Sequence, residues 1–324
     1  MRWLFAAVAL AACRSPAPAP APDAGDQTIR VATFNVRRFF DTVCQSGRCE
    51  SDDYEALPST AAFDARARQL ASAIHGLGAD VVALQEVETQ ACLDALLAHV
   101  GDEMPYGVLG EIGSAASVDV AVLSKTPIER VVGHRMTSPL VLADGSTALF
   151  SRELLEVHVN DGDLIVLAAH FRSKSNDDPA RRLAEAQVAR RVVSDVAANA
   201  PQSVVVLAGD LNDVPGSPPL DALVANGGLV RLADDLPVAA QATYSFGGRG
   251  QAIDHLLVRV VAASVRACRS PRASGATAAA GDGVAAITRR SARSSCSDGE
   301  CTPHAAECKS LGARVIVTRL RAAG

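Results

Sequence analysis

Ser203-Val204-Val205-Val206-Leu207-Ala208-Gly209-Asp210-Leu211-Asn212 begins as a strand and ends in polar groups that have no place in a core. Its apolar part is short and rich in β-branched residues, which suits a buried strand better than a helix. Three other stretches repeat the pattern. Ile29-Arg30-Val31-Ala32-Thr33-Phe34 ends at Asn35. Asp80-Val81-Val82-Ala83-Leu84 ends at Gln85 and Glu86. Asp163-Leu164-Ile165-Val166-Leu167-Ala168-Ala169 ends at His170. Further strands are expected over 118–123, 153–159 and 253–258.

Two stretches carry helical periodicity. Over 64–77, Ala67, Leu70, Ile74 and Leu77 share a face, and Gly76 and Gly78 mark the end. Over 179–198, Leu183, Ala186, Val193 and Val196 make a stripe, with Asp178 as N-cap and Pro179 in the first turn. Strands mixed with helices predict a layered α/β (α+β) fold, with sheets inside and helices outside. Residues 29–262 read as one domain.

The 324 residues are 48 % hydrophobic and 21 % charged, an ordinary globular balance. The net charge of −5 excludes nucleic-acid binding through a broad basic face, so any such binding is local to a cleft. Aromatics make up only 4 %, which argues against a stacking platform for single strands.

Cleaving a phosphodiester requires a hard cation, a positioned water and an acid for the leaving oxygen. Asn35, Glu86, Asp210 and Asn212 are the oxygen donors such a cation takes. His170 exchanges a proton near neutral pH. Each alone is better read as a cap or turn residue; several at the ends of strands point to a site.

These residues fall in Thr33-Phe34-Asn35-Val36, Leu84-Gln85-Glu86-Val87-Glu88, Ala169-His170-Phe171-Arg172-Ser173-Lys174, Gly209-Asp210-Leu211-Asn212-Asp213 and Ile253-Asp254-His255-Leu256. The series resembles the successive motifs of the endonuclease/exonuclease/phosphatase superfamily, in that family's order. The resemblance implies a two-layer β-sandwich flanked by helices and a phosphodiesterase dependent on Mg2+ or Mn2+. Nucleic acid is the leading substrate, with lipid headgroups or small phosphate esters as the alternative. By the same resemblance Glu86 holds the metal with Asn35 beside it, and Asp210 orients or activates the attacking water. Asn212 contacts the phosphate, His170 stabilises phosphoryl oxygens or serves the leaving group, and Asp254 braces the network. Arg152 resembles the family's phosphate-contacting arginine, a role suited to a guanidinium fork. His255 is read as structural. The His170–Lys174 segment, and Phe39-Phe40-Asp41 with its short Cys loop, look most like bacterial extracellular nucleases.

One departure stands out. Most members carry Ser-Asp-His-x-Pro before the last strand, and no Asp-His pair follows residue 255 here. Residues 263–324 are instead rich in Arg, Ala, Ser and Cys, with a final strand expected over Ala313–Leu320. A frameshift somewhere between 262 and 285 would explain this: one codon choice for 285–291, read two bases later, spells Ser-Asp-His-Ala-Pro-Leu. Resequencing decides it. The rival is a genuine tail with Cys296 and Cys301 paired, and a non-catalytic phosphate-binding relic is the functional counterpart.

The first residues read as an export signal: Arg2, then an apolar run over 3–12 too short to span a bilayer. Leu10-Ala11-Ala12-Cys13 resembles the lipobox of bacterial lipoproteins, which implies a lipid on Cys13, and residues 14–28 form a Pro/Ala-rich tether. Arg14, in place of Asp, implies an outer-membrane anchor, so the membrane is an expected partner. In an oxidising compartment Cys44 and Cys49, framing a short turn, form a disulfide. Half a zinc site is the alternative, but no matching His or Cys pair lies nearby. Cys92 reads as a buried thiol, and Cys268, Cys296, Cys301 and Cys308 cluster near the end.

Overall fold

The computed structural model of the chain describes residues 27–259 and 285–289. The signal, Cys13, most of the tether, the four C-terminal cysteines and Ala313–Leu320 lie outside the described residues. In chain order the elements begin with β1 (Gln27–Phe39), α1 (Thr60–Leu77), β2 (Val81–Val87), α2 (Gln90–Val100), β3 (Tyr106–Gly110), β4 (Asp119–Ser124) and β5 (Ile128–Gly133). A two-residue pair follows, β6 (Leu140–Val141) and β7 (Thr147–Ala148), then β8 (Leu155–Val159), β9 (Leu164–His170), α3 (Pro179–Asn199), β10 (Val204–Asp210) and α4 (Pro218–Val224). The last are β11 (Val230–Arg231), the hairpin β12 (Tyr244–Phe246) and β13 (Arg249–Gln251), β14 (Asp254–Arg259) and β15 (Ala285–Arg289).

Two sheets carry the fold. One is ordered β15-β1-β2-β4-β3 and the other β11-β14-β10-β9-β8-β5. Strand side chains alternate between faces, and both faces of each sheet are buried. Val31, Val81 and Ala83 pack inward against Leu164, Val166, Ala168, Val206 and Ala208 of the other sheet. Their neighbours Ala32, Val82 and Leu84 face outward onto α1 and α2. Ile165, Leu167 and Leu207 face outward onto α3 and α4. This is the helix-flanked sandwich, and it explains why the strands read as unbroken apolar runs. The strand Ala285–Arg289, within the segment set apart by composition, lies antiparallel on the start of β1.

Helix α1 buries Ala67, Leu70, Ile74 and Leu77 as the periodicity predicts, but it starts four residues early. Ser59 caps it by accepting from the Ala62 amide at 3.2 Å. Asp178 caps α3 by accepting from the Arg181 amide at 3.0 Å. The buried face of α3 differs from the stripe expected there: Leu183 and Val196 are only partly buried, while Arg182 and Glu185 are enclosed. An apolar stripe could not foresee this, because both charged residues serve loops. Arg182 Nε donates to Asp213 Oδ2 at 2.9 Å. Glu185 accepts from the backbone amides of Ser151 at 2.7 Å and Arg172 at 2.6 Å.

Candidate active site

The two-residue alternation that buries Val31, Val206 and Ala168 between the sheets sends Asn35, Asp210 and His170 inward at the strand ends. Asp210 lies opposite His170 on the parallel neighbour β9 and opposite Asp254 on the antiparallel neighbour β14. Asp254 opens its strand and Asp210 closes its own, so the ladder brings both to one edge. Gly209 makes the approach possible: a Cβ there would sit 1.9 Å from the Ala169 carbonyl oxygen.

The other sheet meets this edge through a kink. Arg37 and Arg38 adopt positive φ (56° and 48°), and the β1–β2 register shifts there. Such backbone is unfavourable for arginine, and hydrogen bonds hold it. The Arg37 amide donates to Asn35 Oδ1 at 2.9 Å, and the Arg38 amide donates to Glu86 Oε2 at 2.8 Å. Glu86 itself sits at φ 69°, which turns its carboxylate out of the strand's alternation toward Asn35. The Asn35 amide nitrogen then donates to Glu86 Oε1 at 2.9 Å and to Asp210 Oδ2 at 3.0 Å. One neutral amide bridges two carboxylates from opposite sheets.

Charge crowding follows. Burial, then the charge of Asp254 and, further down, that of Glu86, raises the Asp210 pKa well above the carboxylate range. Burial, helped by the Arg152 guanidinium, lowers His170 to about 4, so its imidazole is neutral at pH 7. His170 Nδ1 is enclosed without a hydrogen-bond partner among the described residues. Arg152 is anchored by Nε donating to the Val118 carbonyl at 3.1 Å. Asn212, at φ 52°, donates its backbone amide to Asp210 Oδ1 at 2.9 Å and its side-chain amide to the Phe171 carbonyl at 3.0 Å. His255 lies behind the site, fully buried between Arg231 and the Asp213 carbonyl. Carboxylate oxygens crowded at one edge fit a hard divalent cation. Glu86 and Asp210 offer carboxylates; Asn35 meets them through nitrogen, its oxygen being engaged by Arg37.

The site thus gathers Asn35, Glu86, Arg152, His170, Asp210, Asn212 and Asp254. Three contributors escape sequence reading. Glu185 fixes the backbone next to Arg152 and at Arg172. Asp213, buried yet held below the usual carboxylate range by Lys174 and Arg182, fixes the loop after β10. Tyr54 stands half-exposed at the rim with the Arg38 guanidinium 4.5 Å from its ring centroid. A helix charge that should have faced water was the only signal for Glu185. For Tyr54 there was none. Cys44 and Cys49 form a disulfide, with Cα atoms 5.9 Å apart, in the loop that carries Tyr54.

Among solved structures, the chain is similar to SmcL, with 17 % identity over 72 % of this chain and 83 % of that one, at a TM-score of 0.50. Sphingomyelinase C from Streptomyces griseocarneus shares 23 % identity over 75 % and 86 %, with a TM-score of 0.49. TDP2 from Caenorhabditis elegans shares 16 % over 72 % of this chain, with a TM-score of 0.47, and the chain covers 64 % of that protein's length. Likeness at this level concerns the fold alone. No curated protein sequence matches. The profile of the Endonuclease/Exonuclease/phosphatase family matches residues 32–298, most of the chain. With that span and the sandwich it encodes, the chain belongs to the Endonuclease/Exonuclease/phosphatase family, whose members are in general phosphoester hydrolases that use divalent metal ions.

Proposed function

We propose that this chain is a metal-dependent phosphodiesterase that cuts DNA or RNA as an exported endonuclease. The observation that carries the reading is the Asn35 amide joining Glu86 and Asp210 from opposite sheets, with Asp254, neutral His170 and Arg152 at the same edge. Glu86 is the carboxylate that would hold Mg2+ or Mn2+, with Asn35 fixing its orientation. When bound, the ion neutralises charge developing on the phosphoryl oxygens. Asp210, with its raised proton affinity, accepts a proton from the attacking water. Asp254 opposite it maintains that affinity. His170, being neutral, has a single N–H, which meets the Val118 backbone in this structure and turns to a phosphoryl or leaving oxygen when substrate binds. Asn212 keeps one amide hydrogen free of its Phe171 contact for the phosphate. Arg38 and Arg152, within electrostatic reach of Tyr54 beside Glu86, supply local positive charge that the net −5 lacks.

Lipid phosphoesters are the second reading. Phe246 favours it, since it stands 67 % exposed beside the tight turn of the β12–β13 hairpin. Export and a lipid on Cys13 belong to the proposal and rest on Leu10-Ala11-Ala12-Cys13; labelled-palmitate incorporation lost in Cys13→Ser tests them. The activity test is plasmid nicking by the full chain with Mg2+ or Mn2+, beside Glu86→Ala and beside phospholipid vesicles. Nicking by the wild type alone supports the nuclease. Headgroup release without nicking selects the lipid reading. DNA binding with neither reaction selects the relic that lacks the terminal Asp-His.

A further inference from the structure

Tyr54 has no part in the chemistry assigned above, yet three charged groups of the active edge converge on it. It lies in the stretch between β1 and α1 and is 48 % exposed. The Arg38 guanidinium sits 4.5 Å from its ring centroid, a cation–π contact. The Arg152 guanidinium hydrogen-bonds its hydroxyl, and Glu86 is within electrostatic reach. The phenol therefore links two cations beside the carboxylate that would hold the metal.

The ring has a fixed support. Phe40 meets it edge-on, with centroids 5.7 Å apart and an interplanar angle of 69°. Its chain neighbour Glu55 is enclosed, accepts from the Gln45 and Ser46 amides, each at 2.6 Å, and hydrogen-bonds Glu88 just beyond β2. Tyr54 is thus exposed and held at once.

Arg38 is the less explained of the two cations. Its backbone amide orients Glu86, a task any residue but proline could perform. Its side chain is exposed and, among the described residues, enters no ion pair. Arg152, by contrast, is anchored on the Val118 carbonyl within electrostatic reach of His170. A guanidinium stacked on a ring keeps its N–H edge for an oxyanion. The Tyr54 hydroxyl, accepting from Arg152, still has its own hydrogen to donate. Arg38 and Tyr54 together offer an anion a guanidinium fork and a hydroxyl, next to Arg152 but separate from it.

We infer that Arg38 and Tyr54 form a second phosphate subsite, which takes the phosphate adjoining the scissile one in a nucleic-acid strand. The inference rests on the phosphodiesterase reading of the same edge and narrows its substrate to a polyphosphodiester. A strand carries a phosphate at every nucleotide, so seating one at the reaction site presents another beside it. A headgroup or small ester with one phosphate leaves the second subsite empty. Phosphate contacts carry no base information, so the subsite selects a chain of phosphates and not a sequence.

The test uses the full chain. Binding of a fluorescein-labelled DNA oligonucleotide is followed by anisotropy in chelator over a range of NaCl concentrations. Turnover of that oligonucleotide and of bis(p-nitrophenyl) phosphate is then measured with Mn2+. Arg38→Ala is expected to weaken binding about tenfold whatever the sequence, and to lower the salt slope by about one. Tyr54→Ala should weaken it by a similar factor alone and add little in the Arg38→Ala background, because the two residues act as one subsite. In both variants the loss of kcat/KM on the oligonucleotide should exceed that on the single-phosphate diester by about tenfold. Tyr54→Phe keeps the ring under Arg38 and should fall between wild type and Tyr54→Ala; it takes the place of Tyr54→Ala if that variant does not fold. Equal losses on the two substrates overturn the inference, since Tyr54 then only supports the active edge. Unchanged binding and salt slope in the folded variants also overturn it, while DNA cleavage by the wild type leaves the nuclease reading standing. A wild type that hydrolyses the small diester but neither binds nor cuts DNA removes the nuclease reading and this inference together.

Discussion

Two groups of carboxylates flank the end of β2, and they are built differently. At the active edge, Glu86 and Asp210 come from separate sheets and share the Asn35 amide, with an imidazole and a guanidinium within electrostatic reach. Under the loop, Asp41, Glu55 and Glu88 are satisfied by backbone amides, one hydroxyl and a Glu55–Glu88 hydrogen bond, and among the described residues none of them forms an ion pair with a basic side chain. The first arrangement leaves its charge next to groups that can touch a substrate. The second encloses its carboxyls, with Glu55 and Glu88 hydrogen-bonded to each other, so it holds the loop together but cannot reach a reacting phosphate. Residue type alone does not separate the two; the partners do.

The largest expected effect that would break this contrast is on turnover. Glu86→Ala should lower plasmid nicking by about a thousandfold while far-ultraviolet circular dichroism is unchanged; a variant that still nicks would remove Glu86 from the chemistry. Next is the bridging amide. Asn35→Ala leaves Glu86 and Asp210 facing each other unbridged, so chelated protein should lose about 2–3 kcal/mol in urea unfolding. Added Mg2+ should restore part of that loss. A loss of the same size with and without Mg2+ would mean Asn35 merely packs.

A smaller effect comes from the other group. Replacing both Cys44 and Cys49 by Ser opens a five-residue separation and should cost about 2 kcal/mol. Nicking should change little, because the disulfide holds the loop and touches no group of the active edge. The smallest effect is on pH dependence. His170 is depressed from 6.5 to about 4, so the unfolded chain binds a proton first as pH falls. Its contribution is whole above pH 6.5 and is lost toward pH 4. In chelated protein, His170→Asn should flatten that part of the stability profile; identical profiles would show that the imidazole is not enclosed as described.

Much of the architecture could be read directly. Unbroken apolar runs over 204–208 and 164–169 announce strands buried on both faces, and the capped start of α3 at Asp178 is found where its chemistry puts it. Asn35, His170 and Asp210 were legible because polar residues ending buried strands are hard to explain otherwise. Arg182 and Glu185 were not legible as buried, since a helix charge looks the same in sequence whether it meets water or a loop's amides.

Sequence by itself determined the strand ends, the two-residue parity that sends Asn35, His170 and Asp210 inward, and the order of motifs that marks the family. These are local properties, carried by side-chain periodicity along one strand. Only the tertiary structure decided that Asp254 faces Asp210, that Glu86 turns out of its strand at positive φ, and that Glu88 meets Glu55 under the loop. Each of these depends on register between strands far apart in the chain and on which amide happens to face which carboxylate. No periodicity encodes that.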